Sequence, residues 1–118
     1  MDIFPTFGQI SNAKISHKID GMSLFPFLFS DIEKQNNERE IFFMRREGGE
    51  YGGLCYYSVR KGEYKLLQNS PFENYELYNI NKDPYEKNKI TNMPEKYKEL
   101  KNILTRHIQK SGSVPWQK

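Results

Sequence analysis

Glu76-Leu77-Tyr78-Asn79-Ile80-Asn81-Lys82-Asp83-Pro84-Tyr85-Glu86-Lys87-Asn88-Lys89-Ile90 reads in two ways, and the choice sets the fold. Asn79, Asn81 and Asp83 alternate like the opening ligands of a calcium loop. Such a loop needs glycine at its sixth position and a bidentate acid at its twelfth. Counted from Asn79, those places hold Pro84 and Ile90. Two of the three early ligands are neutral amides, so the ligand rules weigh against a metal. The stronger reading is a strand over Tyr75 to Ile80 that runs into an Asn/Asp/Pro turn. Leu77 or Tyr78 then faces the core.

That strand needs neighbours, and the residues before it supply them. Glu40 to Arg46 and Leu54 to Arg60 are strand candidates rich in aromatic and β-branched residues. "REGGEYGG" between them carries four glycines from Gly48 to Gly53 and reads as a wide hairpin loop. Lys61-Gly62 marks a tight turn, after which Tyr64 to Gln68 returns. All these connections are short, which predicts an antiparallel meander.

Beyond the turn, Pro94 opens a helix that Gly112 ends. Tyr97, Leu100, Ile103, Leu104, His107 and Ile108 form one apolar stripe along it. Glu95 suits its positive end, and Arg106 and Lys110 its negative end. The stripe should cover one face of the sheet. The tail holds Trp116, expected to tuck back onto the body. At the other end, residues 1 to 12 read as a short amphipathic helix with Asp2 as cap and Pro5 early. Ile3, Phe4, Phe7 and Ile10 recur at helical spacing. A helix this short needs a surface to lie on. Residues 13 to 21 form a polar connector, Ser23 to Phe29 one or two further apolar turns, and residues 30 to 39 a surface loop. The fold class is therefore α+β: a four-stranded antiparallel sheet packed against a long C-terminal helix, preceded by short N-terminal helices.

Composition bounds the chemistry. The chain has 118 residues, enough for one core. Its hydrophobic content is 36 % and its mean hydropathy −0.84, so eight Tyr and eight Phe must carry much of that core. A net charge of +3 is too small to mark a nucleic-acid binder. Leu24 to Phe29 is too short to span a bilayer, and the N-terminus lacks the basic and apolar regions of a signal peptide. Neither a nucleic acid nor a membrane is expected as partner, and the compartment stays open. A single cysteine, Cys55, excludes an internal disulfide and is expected to be a packed thiol. His17 and His107 have no Cys or second His at metal-ligand spacing. The glycine-rich loop lacks both phosphate-binding patterns. It reads either as a plain hairpin loop or as a mobile segment carrying Glu47, Glu50 and Tyr51 beside Arg45 and Arg46. Two arginines there could hold a sulfate or a sugar carboxylate. No self-contained active site emerges.

Four stretches then align, in order, with one family. "DIFPTFGQIS" (Asp2 to Ser11) resembles the D-[IL]-x-P-T-[LF] helix near the end of the sulfatase catalytic domain. "IDGMSLFPFL" (Ile19 to Leu28) resembles the sulfatase D-G-x-S-L-x-P-L-L segment. "YSVRKGEYKLL" (Tyr57 to Leu67) is similar to the A-V-R-x-G-x-[WY]-K-L hairpin. The opening stretch is similar to E-L-Y-[DN]-L-x-x-D-P-x-E-x-x-N-L. The family's Asn in that last motif falls at Lys89, and its Gly after Asp-Pro is Tyr85.

The resemblance implies residues 1–30 as the tail of a catalytic α/β domain and residues 31–118 as a C-terminal subdomain. It implies structural roles for Asp20, Gly21, Arg60, Gly62, Lys65, Asp83 and Pro84. The substrate-rim candidates are Arg45, Arg46, Glu47, Glu50 and Tyr51. Family members use calcium and a formylglycine made from a C/S-x-P-S-R motif, and this chain contains neither that motif nor the cation ligands. The expectation is a C-terminal portion of a sulfate-ester hydrolase, without catalytic or metal residues of its own and inactive alone. Its partner would be the catalytic domain, or a second copy of the chain held through the first helix. Two other readings stay open: a non-catalytic interaction module, and a fragment of a phosphodiesterase or phosphonate hydrolase of the same superfamily.

Overall fold

A computed structural model describes residues 1–29, 39–46, 55–70 and 72–112. Their order is α1 (Ile3–Ile10), α2 (Phe25–Phe29), β1 (Glu40–Arg46), β2 (Cys55–Lys61), β3 (Tyr64–Gln68), β4 (Glu76–Asn79) and α3 (Pro94–Gly112). The chain divides into two compact units, Met1–Asn36 and Asn37–Lys118.

In the second unit the strands form one antiparallel sheet in the order β1-β2-β3-β4. The register aligns Phe42 with Val59, Val59 with Leu66, and Leu66 with Leu77. Strand side chains alternate between faces, so these four form one row across the sheet. Leu100, Ile103 and Leu104 of α3 cover that row and are buried with it. Each buried aliphatic contributes roughly 1.5–3 kcal/mol. Tyr57, Tyr64, Tyr75, Tyr97, Phe42 and Ile108 pack around this centre. The helical stripe expected from periodicity is thus the one that buries, including His107, whose ring lies flat on Phe42 at 3.7 Å.

Polar contacts pin α3 to the same face. Glu99 accepts from Lys61 on β2 at 2.9 Å and from Lys96 one turn back at 2.6 Å. These bonds, that of Lys96 foremost, hold the Glu99 carboxyl below its usual range. Gly62 and Glu63 form the two-residue turn between β2 and β3, since Lys61 pairs with Tyr64. Gly62 has φ 60° while Glu63 does not share a positive φ. That is the signature of a type II′ hairpin, which suits the twist of the strands.

The first unit is held by polar bonds around α1. Asp2 occupies the N-cap position, but its side chain makes no cap bond. Its Oδ1 instead accepts from the Met22 N–H at 3.0 Å. Thr6 Oγ1 donates to the Asp2 carbonyl and accepts from the Leu24 N–H at 2.9 Å. These two side chains, one turn apart, bind the extended residues that lead into α2. Gly21 is required there: a Cβ would collide with the Met1 carbonyl and crowd Pro5. α1 is shorter than the expected residues 1 to 12, running Ile3–Ile10 after Asp2, and α2 starts at Phe25 rather than Ser23.

Candidate functional site

The opening stretch resolves as strand and turn, but with a different use of its amides. Asn79 is buried. Its Oδ1 accepts from the Asn81 and Lys82 N–H groups at 3.2 and 3.1 Å. Its Nδ2 donates to Glu63 Oε2 at 2.8 Å. Asp83 Oδ2 accepts from the Asn88 N–H at 2.7 Å, and that bond above all holds its carboxyl below the usual range. Asn79 and Asp83, two of the three residues that resembled calcium ligands, use their oxygens as acceptors for backbone donors, which is what Asx turns do. Pro84 is exposed at the turn itself. Among the described residues no group of three or more His, Cys, Asp or Glu could hold a metal ion. The described residues therefore offer no fit for a calcium ion.

The turn folds across the sheet's outer face, opposite α3. Tyr78 points to that face and is buried there; its hydroxyl donates to Glu76 Oε2 at 2.8 Å. Burial, then the Glu76 bond, pushes its pKa up to about 12. Lys65 Nζ bonds Glu86 Oε1 at 2.6 Å, with both side chains roughly three-quarters buried. Glu86 makes this contact from a backbone φ of 54°, a conformation that costs a non-glycine residue about 1 kcal/mol. Lys65 also lies directly opposite Arg60, a juxtaposition of like charges that is unfavourable. Glu86 neutralises the lysine, while Arg60 Nε donates to the Gly62 carbonyl at 3.2 Å.

Beyond Glu86 the outer face opens into a trough of about 570 Å³. Phe43, Arg45, Tyr56, Ser58, Lys65 and Leu67 line it. Phe43 and Tyr56 present their rings to solvent, 57 % and 37 % exposed. Arg45 and the Lys65–Glu86 ion pair bring charged groups to an aromatic and hydroxyl-bearing surface, a lining able to contact a polar molecule.

Of the rim candidates, the structure places Arg45 on this trough. Arg46 ends β1, and its side chain lies outside the described residues, as do Glu47, Glu50 and Tyr51. The Cys55 thiol and the Trp116 tail lie outside them too. Of the residues given structural roles, Arg60, Gly62 and Lys65 meet on one hairpin, and Asp83 and Pro84 share the turn after β4. Asp20 and Gly21 sit in the other unit, where Asp20 is exposed. Sequence reasoning gave no role to Thr6, Glu63 or Glu86, and weighed Asn79 as a metal ligand or a strand residue. Thr6, Asn79 and Glu86 carried a signal as fixed positions of the quoted motifs, whereas Glu63 carried none.

Comparison with known proteins follows the same outline. No curated protein matches the chain by sequence. Among solved structures, a Bacteroides thetaiotaomicron VPI-5482 protein classed as a sulfatase superposes with TM-score 0.77 at 23 % identity, covering 94 % of this chain and 24 % of its own. The 2-O GAG sulfatase BT1596 gives 0.74 at 24 % identity, covering 95 % and 25 %. BT4656, solved in complex with its substrate D-glucosamine-2-N,6-O-disulfate, gives 0.69 at 23 % identity, covering 92 % and 23 %. The chain thus shares their fold and spans about a quarter of their length. The family profile described as "N-sulphoglucosamine sulphohydrolase, C-terminal" matches residues 1–113. With nearly the whole length matched, this chain belongs to the N-sulphoglucosamine sulphohydrolase C-terminal family.

Proposed function

We propose that the chain is the C-terminal portion of a larger hydrolase that cleaves sulfate esters, with the catalytic groups on a domain outside these residues. The observation that carries this reading is the family match over residues 1–113, on a chain that spans only a quarter of the sulfatases it superposes on. In that enzyme the formylglycine and calcium would reside on the catalytic domain and supply the nucleophile and the charge stabilisation. The residues present here would support that domain. Residues 1–30 would be its closing segment and residues 31–118 the subdomain that buttresses it. The exposed apolar face of α1 would pack against the domain's remaining elements. Arg45, with Arg46, Glu47, Glu50 and Tyr51 on the following loop, would form part of the pocket rim and select among sulfated substrates. The aromatic and polar lining beside Arg45 suits a sugar there.

The test has two arms. The 118-residue chain, purified free of other hydrolases and supplied with calcium, should not turn over 4-nitrophenyl sulfate; clear turnover would sink the proposal. The coding sequence preceding Met1 should encode a C/S-x-P-S-R motif in frame. A Thr or Ser nucleophile without that motif would move the parent reaction to phosphoryl transfer.

A further inference from the structure

The two edges of the sheet are finished differently. β4 is four residues long, and on its outer side the Leu77 carbonyl accepts from the Ile90 N–H at 2.8 Å. β1 is seven residues long and pairs with β2 without a bulge. Among the described residues no strand lies on its other side. Its sequence, EIFFMRR, holds none of the prolines, lysines or bulges with which natural edges refuse a further strand.

The register shows which groups this edge offers. Lys61 and Tyr64 close a two-residue turn, so they form a hydrogen-bonded pair. Alternation along the ladder then makes Arg60–Lys65 and Ser58–Leu67 pairs that exchange no bonds, with backbone groups turned to the strands beyond. The same alternation makes Glu63 and Ile80 a bonded pair, and the Ile80 N–H does donate to the Glu63 carbonyl at 2.8 Å. Arg60 and Ser58 therefore bond Ile41 and Phe43. That leaves the N–H and C=O groups of Glu40, Phe42 and Met44 facing outward. Apolar side chains flank them on both faces of the strand, with Phe43 57 % and Met44 40 % exposed.

A strand added here has to match this pattern, and β1 matches it itself. Laid antiparallel on its own copy about Phe43, all seven residues pair: Phe43 with Phe43, Phe42 with Met44, Ile41 with Arg45, Glu40 with Arg46. Phe42 and Met44 both face outward, as a hydrogen-bonded pair requires. Phe43 meets its equivalent in a pair that exchanges no bonds, the kind whose side chains come closest, and paired aromatic rings are favourable. At each end an acidic residue stands opposite a basic one, which is favourable too. Centring the pair on Phe42 or Met44 instead leaves two residues of each β1 unpaired and separates Glu40 from Arg46.

We propose that the β1 edge is an interface for a second copy of this chain, joined antiparallel about Phe43 into one eight-stranded sheet with two-fold symmetry. Seven residues a side is small against the roughly 20–30 of a stable complex, so the dimer is transient and populated at about millimolar chain. The proposal goes beyond the sulfate-ester reading and does not rest on it.

The experiment mixes isotope-labelled and unlabelled 118-residue chain at about 1 mM. Both carry Ile3→Lys and Phe7→Lys, so that the apolar face of α1 takes no part. Isotope-filtered NOEs report contacts between copies. They are expected between the Phe43 Hα atoms of the two copies and between Ile41 Hα and Arg45 Hα, and they should fade on about tenfold dilution. Met44→Pro removes an outward-facing N–H without breaking the ladder to β2 and should abolish them. Phe43→Lys, at an exposed position, sets two lysines face to face; it should abolish them too and leave the urea transition in place. Absence of contacts between copies at about 1 mM would overturn the proposal. So would contacts in another register, or contacts that survive both variants. Slow exchange of the Phe42 and Met44 amides in dilute chain would also overturn it, because the edge would then be covered from within.

Discussion

Tyr78 shows how one side chain links burial to pH. Its ring is buried on the outer face, and its pKa is raised to about 12, first by burial and then by the Glu76 bond. The unfolded chain ionises this phenol near the ordinary value of about 10. The stabilisation is therefore complete below about pH 10 and is lost as pH rises towards 12, by at most about 1.4 kcal/mol per pH unit. Tyr78→Phe should be less stable at neutral pH by about 1 kcal/mol, the worth of the lost hydrogen bond. Between pH 10 and 12 the gap between the two proteins should narrow, and urea denaturation at each pH measures it. A gap that stays constant across that window would show that Tyr78 ionises equally in both states. Such detail was only half legible in the sequence. Gly62 announced its turn because a strand-turn-strand pattern surrounded it. Gly21 and Asn79 stood out in the quoted motifs, but what each does there was not readable. The first is needed because the Met1 backbone crosses it, and the second binds backbone donors next to it in the chain and Glu63, sixteen residues away.

At the scale of elements, legibility follows the source of each element's stability. α3 and the strands bury regular apolar patterns, and their bounds were read to within one or two residues. β4 is shorter than expected: it ends at Asn79, which still pairs with Tyr64 and whose side chain organises the turn that follows. α1, only eight residues long, is marginal by itself. It is held by Asp2 and Thr6, whose bonds to residues 22 and 24 no periodicity encodes. The outer face has a comparable clasp in Lys65 and Glu86, which ties the turn after β4 to the middle of the sheet. Both side chains are roughly three-quarters buried, so the pair should couple by about 0.5–1 kcal/mol, the upper part of the range for surface pairs. A double-mutant cycle with Lys65→Met and Glu86→Gln measures this by urea unfolding. Coupling indistinguishable from zero would mean that Glu86 holds its positive φ for another reason. The trough beside the clasp was invisible in the sequence. It arises from Phe43 and Arg45 on one strand facing Tyr56 and Ser58 on the next, a register that only the paired sheet reveals.

At the scale of the whole molecule, the apolar face of α1 is the feature that asks for a partner. Ile3, Phe4, Phe7 and Ile10 are 68 %, 57 %, 65 % and 53 % exposed. Four large apolar side chains on one short helix make the contiguous surface that water penalises and that other surfaces cover. The amphipathic spacing was readable, but the covering surface was not, because a sequence displays only its own half of an interface. If a catalytic domain covers this face in the full enzyme, the 118-residue chain alone should cover it by associating with itself. Sedimentation should then show mass rising with concentration. Ile3→Lys with Phe7→Lys places like charges on that face and should shift the protein to monomer. The urea transition of the sheet and α3 should stay unchanged, because their core contains none of these residues. A chain that sediments as a monomer at all concentrations, with the α1 amides as protected from exchange as those of α3, would place the covering surface within the chain itself. The proposed role of α1 as a segment of the catalytic domain would then fall, while the family assignment, which rests on the profile match across residues 1–113, would stand.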